Sequence, residues 1–285
     1  MPRPEPFGFV SSTGIELPIS LYRAHSPRKN TTILYLHGGG LVYGTRHDLP
    51  ECHLDSLLQA GYDVLAPDYP LAPESGLDTI LATLTELIAF FRAQHGTRFQ
   101  LDDDAYVLFG RSAGAYLALM LCAALEDTGI AGPRAIVSLY GYARLDDPAF
   151  LTPSKHYLAF PSLSAQEVAR IVGSAPVTEG DIGTRFALYV TARQQGSWIR
   201  MLCGDAPPER HSLDVARLAA FPPTFLAAAT MDPDVPYKMS KSLSRAIPDA
   251  RLVTVYGETH DFDRDTRDPT GASVYAEIIR WLETR

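Results

Sequence analysis

Positive charge is scarce in this 285-residue chain: 25 Lys and Arg stand against 33 Asp and Glu, a formal net charge of −8. Gripping nucleic acid requires a basic footprint for the phosphates, so that class of partner is disfavoured. Cysteine is also rare. The three present, Cys52, Cys122 and Cys203, share no metal-ligand spacing, and an odd number makes a poor disulfide framework. Free thiols fit a reducing cytosol. Long apolar runs are missing too. The longest, residues 113–125, is too short to span a bilayer and suits a buried helix. The N-terminal MPRPEPFGFVSSTG lacks the apolar core of a secretory signal. These absences give the expectation of a cytoplasmic protein with no membrane span and no nucleic-acid partner. Self-association stays open.

What is present is an alternation. Short β-rich runs at residues 33–36, 62–66, 106–109, 136–140, 224–229 and 251–255 are separated by helical patterns. The clearest of these are residues 48–60, ending at Gly61, 77–95, ending at Gly96, the apolar stretch from Ala113, and 273–283. Such alternation predicts an α/β fold, a mostly parallel sheet with helices on both faces. Residues 7–10 and 15–22 have no helix between them and suit an antiparallel hairpin at the sheet edge. The length is near the limit for one hydrophobic core, so a single domain over residues 1–285 is expected. Residues 146–215 hold no clear strand but do hold helical patterns at 164–171 and 182–195. A structureless loop of that length is improbable in a compact domain, so this stretch is expected to be an inserted helical cap.

The chemistry starts at Gly110-Arg111-Ser112-Ala113-Gly114. A G-x-S-x-G pattern arises by chance in about one chain of this length in ten, given ordinary glycine content. Its setting, after an apolar run and before a helix, is that of a nucleophile elbow. There the serine sits on a strained strand-to-helix turn, and its neighbours must lack side chains. Ser112 is the candidate nucleophile. The bland alternative is a glycine-rich turn with a capping serine. A second block, His37-Gly38-Gly39-Gly40, ends the first parallel strand. Its glycines let backbone amides turn toward a developing oxyanion, and Ala113, following the nucleophile, should offer another. A phosphate-binding loop would need a different spacing and a lysine. His37 reads as a structural residue of this loop.

Of eight histidines, His260 alone follows the last strand, where the base of this fold belongs. The acid should follow the preceding strand, in Thr230-Met231-Asp232-Pro233-Asp234-Val235-Pro236. Asp232 is nearest the strand end and is preferred, with Asp234 read as a loop or helix-cap carboxylate. Glu258 and Asp261 flank His260 and are weaker candidates. Leu41, Tyr43 and Tyr140 are candidate substrate contacts, and Tyr142 and Trp198 are further candidate pocket aromatics; plain core or cap packing is an equal alternative for each aromatic. No metal or organic cofactor is called for.

Three further blocks join these: Tyr35-Leu-His-Gly-Gly-Gly-Leu-Val-Tyr-Gly44, Asp68-Tyr-Pro-Leu-Ala-Pro-Glu74, and Asp232-Pro-Asp-Val-Pro236 followed by His260-Asp-Phe262. With the elbow, they resemble the hormone-sensitive-lipase-like branch of α/β-hydrolases, and are especially similar to small lactobacillal carboxylesterases. The resemblance covers roughly residues 30–285. It implies an α/β-hydrolase fold and a serine esterase preferring short acyl chains, with Gly39 and Gly40 supplying oxyanion amides. Arg111 stands where the branch is often acidic and brings a charge near the site. Ala115 replaces a common glycine. Pro70 replaces a common arginine, which puts a structural ion pair in doubt. Other acyl hydrolases stay open, including a lipase, a peptidase or a carbohydrate-ester deacetylase. So does a non-catalytic small-molecule receptor on the same fold.

Overall fold

A computed structural model describes residues 3–25 and 27–285. Eight strands form one sheet: β1 (Glu5–Val10), β2 (Glu16–Tyr22), β3 (Thr32–Leu36), β4 (Asp63–Pro67), β5 (Tyr106–Arg111), β6 (Ala135–Leu139), β7 (Thr224–Ala229) and β8 (Ala250–Val255). Their order across the sheet is β1-β2-β4-β3-β5-β6-β7-β8. The edge hairpin β1–β2 is antiparallel, and β2 runs antiparallel to β4. Every other pairing is parallel. The predicted α/β architecture and edge hairpin are therefore present.

Alternation along the strands divides the core in two. In β3, Leu34 and Leu36 face one apolar layer while Ile33 and Tyr35 face the other. In β5, Leu108 separates in the same way from Val107 and Phe109. Helices α1 (Glu51–Gln59) and α10 (Pro269–Leu282) cover one face, and α2 (Leu77–Gln94), α3 (Ala113–Thr128) and α9 (Lys238–Ala246) cover the other. The run from Ala113 is the buried helix that its composition implied, with Cys122 packed among apolar neighbours. Among the described residues, no helix is long and apolar enough to cross a membrane.

Two helix starts differ from expectation. Helix α1 begins at Glu51 rather than near Asp48, because Pro50 takes the N-cap and the Asp48 carboxylate is bonded elsewhere. Helix α10 begins at Pro269 rather than near Ser273: Asp268 caps it by accepting from Thr270 N, and Pro269 fits the first turn.

Between β6 and β7 the chain forms α4 (Pro148–Leu151), α5 (Ala165–Ile171), α6 (Ile182–Gln195), α7 (Trp198–Cys203) and α8 (Val215–Leu218), with single 3-10 turns at Tyr157–Ala159 and Pro208–His211. Helix α5 opens with a capping box between Ser164 and Glu167. Helix α6 is tied to the sheet side by Arg185, which bonds both Glu74 oxygens and the carbonyls of Val42 and Ala72.

Candidate active site

The end of β5 turns sharply into α3, and Ser112 stands at the turn with φ 51° and ψ −116°. That conformation is strained for a residue with a Cβ. It is held by Ser112 N donating to Leu139 O at 2.9 Å and by the first bond of α3, Tyr116 N to Ser112 O. Gly114 allows the close approach that the turn demands: a Cβ there would lie 2.0 Å from Leu36 O. The elbow thus folds this way because Gly110 and Gly114, two residues to either side of the serine, carry no side chain.

His260 follows β8 and reaches back to the elbow. Its Nε2 lies 2.9 Å from Ser112 Oγ, and its Nδ1 lies 2.7 Å from Asp232 Oδ2. Asp232 follows β7, and its other oxygen accepts from the amides of Asp234 and Val235. With the imidazole proton on Nδ1, Nε2 is the acceptor facing the serine hydroxyl. Burial by itself lowers the His260 pKa. The charge and hydrogen bond of Asp232, then the charges of Asp234 and Asp261, outweigh it and push it up to about 9.

The structure thus brings Ser112, His260 and Asp232 together in the predicted order. Asp234 lies elsewhere. It accepts from Tyr189 Oη at 2.9 Å and pairs with Arg193 at 3.0 Å, both on α6. Its nearest approach to His260 Nε2 is 4.0 Å. It is a loop carboxylate, as expected, and a buried one that anchors α6. Glu258 is exposed, and Asp261 pairs with Arg264.

Among the described residues, the amides of Gly39, Gly40 and Ala113 are bonded to no acceptor. Gly38 N, by contrast, donates to Asp48 Oδ2. The loop closes on itself through Val42 N and Tyr43 N, which both donate to Gly39 O. His37 is fully buried, stacks on Tyr69 at 4.1 Å and bonds through Nδ1 to Gly38 O. Burial lowers its pKa. It braces the loop, as its position implied.

Arg111 brings no free charge to the site. Only 3% exposed, it donates to Asp48, to Asp263 and to Tyr140 Oη. Asp263 also accepts from Tyr140 and Tyr275. One guanidinium therefore joins the glycine loop, the elbow and the segment carrying His260. Sequence reasoning missed Asp48 and Asp263. The one clue was Asp263, a carboxylate three residues past His260. The doubt raised by Pro70 is resolved similarly: Asp68 pairs with Arg46 instead.

A pocket of about 310 Å³ opens on Ser112 and His260. Tyr43, Tyr140, Tyr189 and Ile182 give it apolar surface, while Asp181, Asp234, Asp261 and Arg264 make part of its wall polar. Tyr43 and Tyr140 thus reach the pocket as expected. Leu41 does not: its side chain is fully buried in the apolar layer. Tyr142 and Trp198 are likewise buried away from the pocket, packed on each other and on Phe150.

The profile of the family described as alpha/beta hydrolase fold matches residues 33–264. An alpha/beta hydrolase superfamily protein from Enterococcus faecalis is 32% identical and superposes with a TM-score of 0.81, over 99% of each chain. A protein of unknown function from Staphylococcus aureus subsp. aureus Mu50 superposes with a TM-score of 0.87 over 98% of each chain, at 26% identity. LipR of Mycobacterium tuberculosis, which carries the name "Putative acetyl-hydrolase", is 30% identical over 180 residues, 61% of this chain. The chain spans 55% of LipR and 5–7% of the fungal polyketide synthases it also matches.

Proposed function

The chain belongs to the alpha/beta hydrolase fold family, and on that premise we propose that it is a serine carboxylesterase acting on short-acyl esters through an acyl-enzyme. The observation that carries this reading is the unbroken line Asp232–His260–Ser112, with contacts of 2.7 and 2.9 Å. In the proposed reaction, Ser112 Oγ attacks the ester carbonyl carbon as His260 Nε2 takes its proton. Asp232 holds the Nδ1 proton and stabilises the imidazolium. The carbonyl oxygen, now an oxyanion, accepts from the amides of Gly39, Gly40 and Ala113. Collapse expels the alcohol, which leaves with the proton from Nε2. Water then attacks the acylated Ser112 by the same route in reverse, releasing the carboxylic acid and restoring the serine. Tyr43 and Tyr140 are the proposed substrate contacts, and residues 146–215 are the proposed cap.

Size supports a small substrate. The pocket, about 310 Å³, lies at the lower end of the roughly 300–1,000 Å³ typical of ligand sites. The expected result with p-nitrophenyl acetate, butyrate and octanoate is kcat/KM highest for the first two and sharply lower for octanoate. Octanoate as the best substrate would contradict the short-acyl reading, and no turnover of any ester would contradict the reaction itself. A second reading, removal of acetyl groups from a polyhydroxylated alcohol, is favoured by the polar wall of Asp181, Asp261 and Arg264. The name of the mycobacterial relative points the same way. An acetylated sugar hydrolysed faster than the aryl acetate would select it.

The pH dependence follows from His260. The base must be neutral to accept the serine proton, so its raised pKa removes activity as pH falls through that value. The acid limb of kcat/KM is expected above the ordinary imidazole value of 6.5, toward about 9. A limb at or below 6.5 would overturn this assignment of charges around the imidazole.

A further inference from the structure

The loop that carries Gly39 and Gly40 is bound along its length by the insertion between β6 and β7. The indole Nε1 of Trp198 donates to Gly40 O at 2.9 Å. Arg185 Nε donates to Val42 O at 2.7 Å. Gly44 and Gly180 exchange both backbone bonds, at 2.7 and 2.9 Å. The Tyr189 ring closes over Gly40 so tightly that a Cβ there would lie 2.4 Å from it. Three carbonyls of one six-residue loop, those of Gly40, Val42 and Gly44, therefore have partners from residues 180–198.

We propose that Trp198 is a positioning residue of the proposed oxyanion loop, and that residues 180–198 are a fixed frame for that loop rather than a lid that opens over it. The proposal rests on the ester-hydrolase reading of the site. Gly40 has φ +60°, a conformation only glycine takes without strain, and glycine has the most backbone freedom to lose. Anchoring its carbonyl limits that freedom and so holds the direction of its amide. The anchor is itself rigid. Trp198 is 1% exposed, with Tyr142, Phe150 and Tyr189 edge-on around it and the Arg193 guanidinium 5.1 Å from its ring. Donors that act on a developing oxyanion lose their effect when misplaced by small distances, and a displacement of about 1 Å can cost about 100-fold. Trp198 does not line the pocket, so its loss should act on the chemical step and not on substrate binding.

The chain contains two tryptophans, and the Trp281 Nε1 bonds to nothing among the described residues. Global replacement of tryptophan by 3-benzothienylalanine keeps the ring shape and turns the N–H into sulfur. Among the described residues it therefore deletes one hydrogen bond, that to Gly40 O. The expected result is kcat lower by about 10- to 100-fold with KM within about threefold. Affinity for an alkyl boronic acid, whose tetrahedral adduct on Ser112 needs the oxyanion donors, should fall by the same factor as kcat/KM. Trp198→Phe, which also removes the donor, should reproduce the result if the labelled protein folds poorly. Equal turnover in substituted and unsubstituted protein, or a change confined to KM, would overturn the role given to Trp198 and leave the hydrolase reading standing. An unsubstituted protein that neither hydrolyses esters nor takes the boronate would overturn both.

Discussion

Asp232→Asn should lower kcat by about 10⁴-fold and leave KM nearly unchanged. The expectation comes from tautomers. Asp232 Oδ2 lies 2.7 Å from His260 Nδ1, so the carboxylate keeps the proton there and leaves Nε2 free to face Ser112 Oγ. An amide can present its NH₂ group to Nδ1 instead, which stabilises the tautomer with the proton on Nε2. That imidazole cannot take a proton from serine. The fold should survive, because Asp232 Oδ1 accepts from the amides of Asp234 and Val235 and an asparagine oxygen can do the same.

Asp234→Asn is the control that gives the first result meaning. Asp234 is bonded to Tyr189 and Arg193, so its neutralisation leaves a buried guanidinium uncompensated, a cost of about 3–5 kcal/mol in stability. Per folded molecule, its kcat should stay within about tenfold of the parent. The acid limb of its pH profile should move down, since one of the carboxylates that raise the His260 pKa is gone. Stopped or steady-state assays with p-nitrophenyl acetate, normalised to folded protein by circular dichroism, would decide the matter. A collapse in the Asp234 variant with the Asp232 variant spared would reverse the roles.

Ser112→Ala should cost on the order of 10⁶-fold in kcat. The loss exceeds that of Asp232→Asn because no group remains to form the acyl-enzyme. What remains is whatever rate a positioned water achieves beside His260 and the oxyanion amides. Stability should change little or rise slightly: serine at φ 51° is strained, and alanine carries the same Cβ without a hydroxyl to orient.

Much of this is legible in the sequence, for a physical reason. The elbow is written in local spacing. Gly114 must be glycine because its Cβ would strike the Leu36 carbonyl, and a requirement of that kind leaves a mark within five residues. The order of serine, acid and histidine follows from strand ends, and the strands show as short β-rich runs such as residues 33–36 and 224–229. The start of α10 is marked too, by Asp268-Pro269, but the apolar period that draws the eye begins only further on.

Long-range partnerships left no such mark. Arg111 reads as a lone charge in an apolar stretch, and its partners Asp48 and Asp263 lie 63 and 152 residues away. Asp234 reads as a loop or helix-cap carboxylate, and its partners Tyr189 and Arg193 come only when α6 is folded against it. Leu41 follows the glycines and so reads as a pocket residue. The loop turns its side chain into the apolar layer with φ 62° instead. Trp198 reads as a cap aromatic, and nothing near it in the chain points to the Gly40 carbonyl.

The central claim is a covalent intermediate on one serine. Incubation of the protein with a fluorophosphonate, followed by proteolysis and mass spectrometry, measures it directly. The account predicts a single adduct on Ser112, with loss of activity in step with labelling, and no adduct in Ser112→Ala. An adduct on another residue, or full hydrolytic activity in protein whose Ser112 is completely labelled, would contradict it.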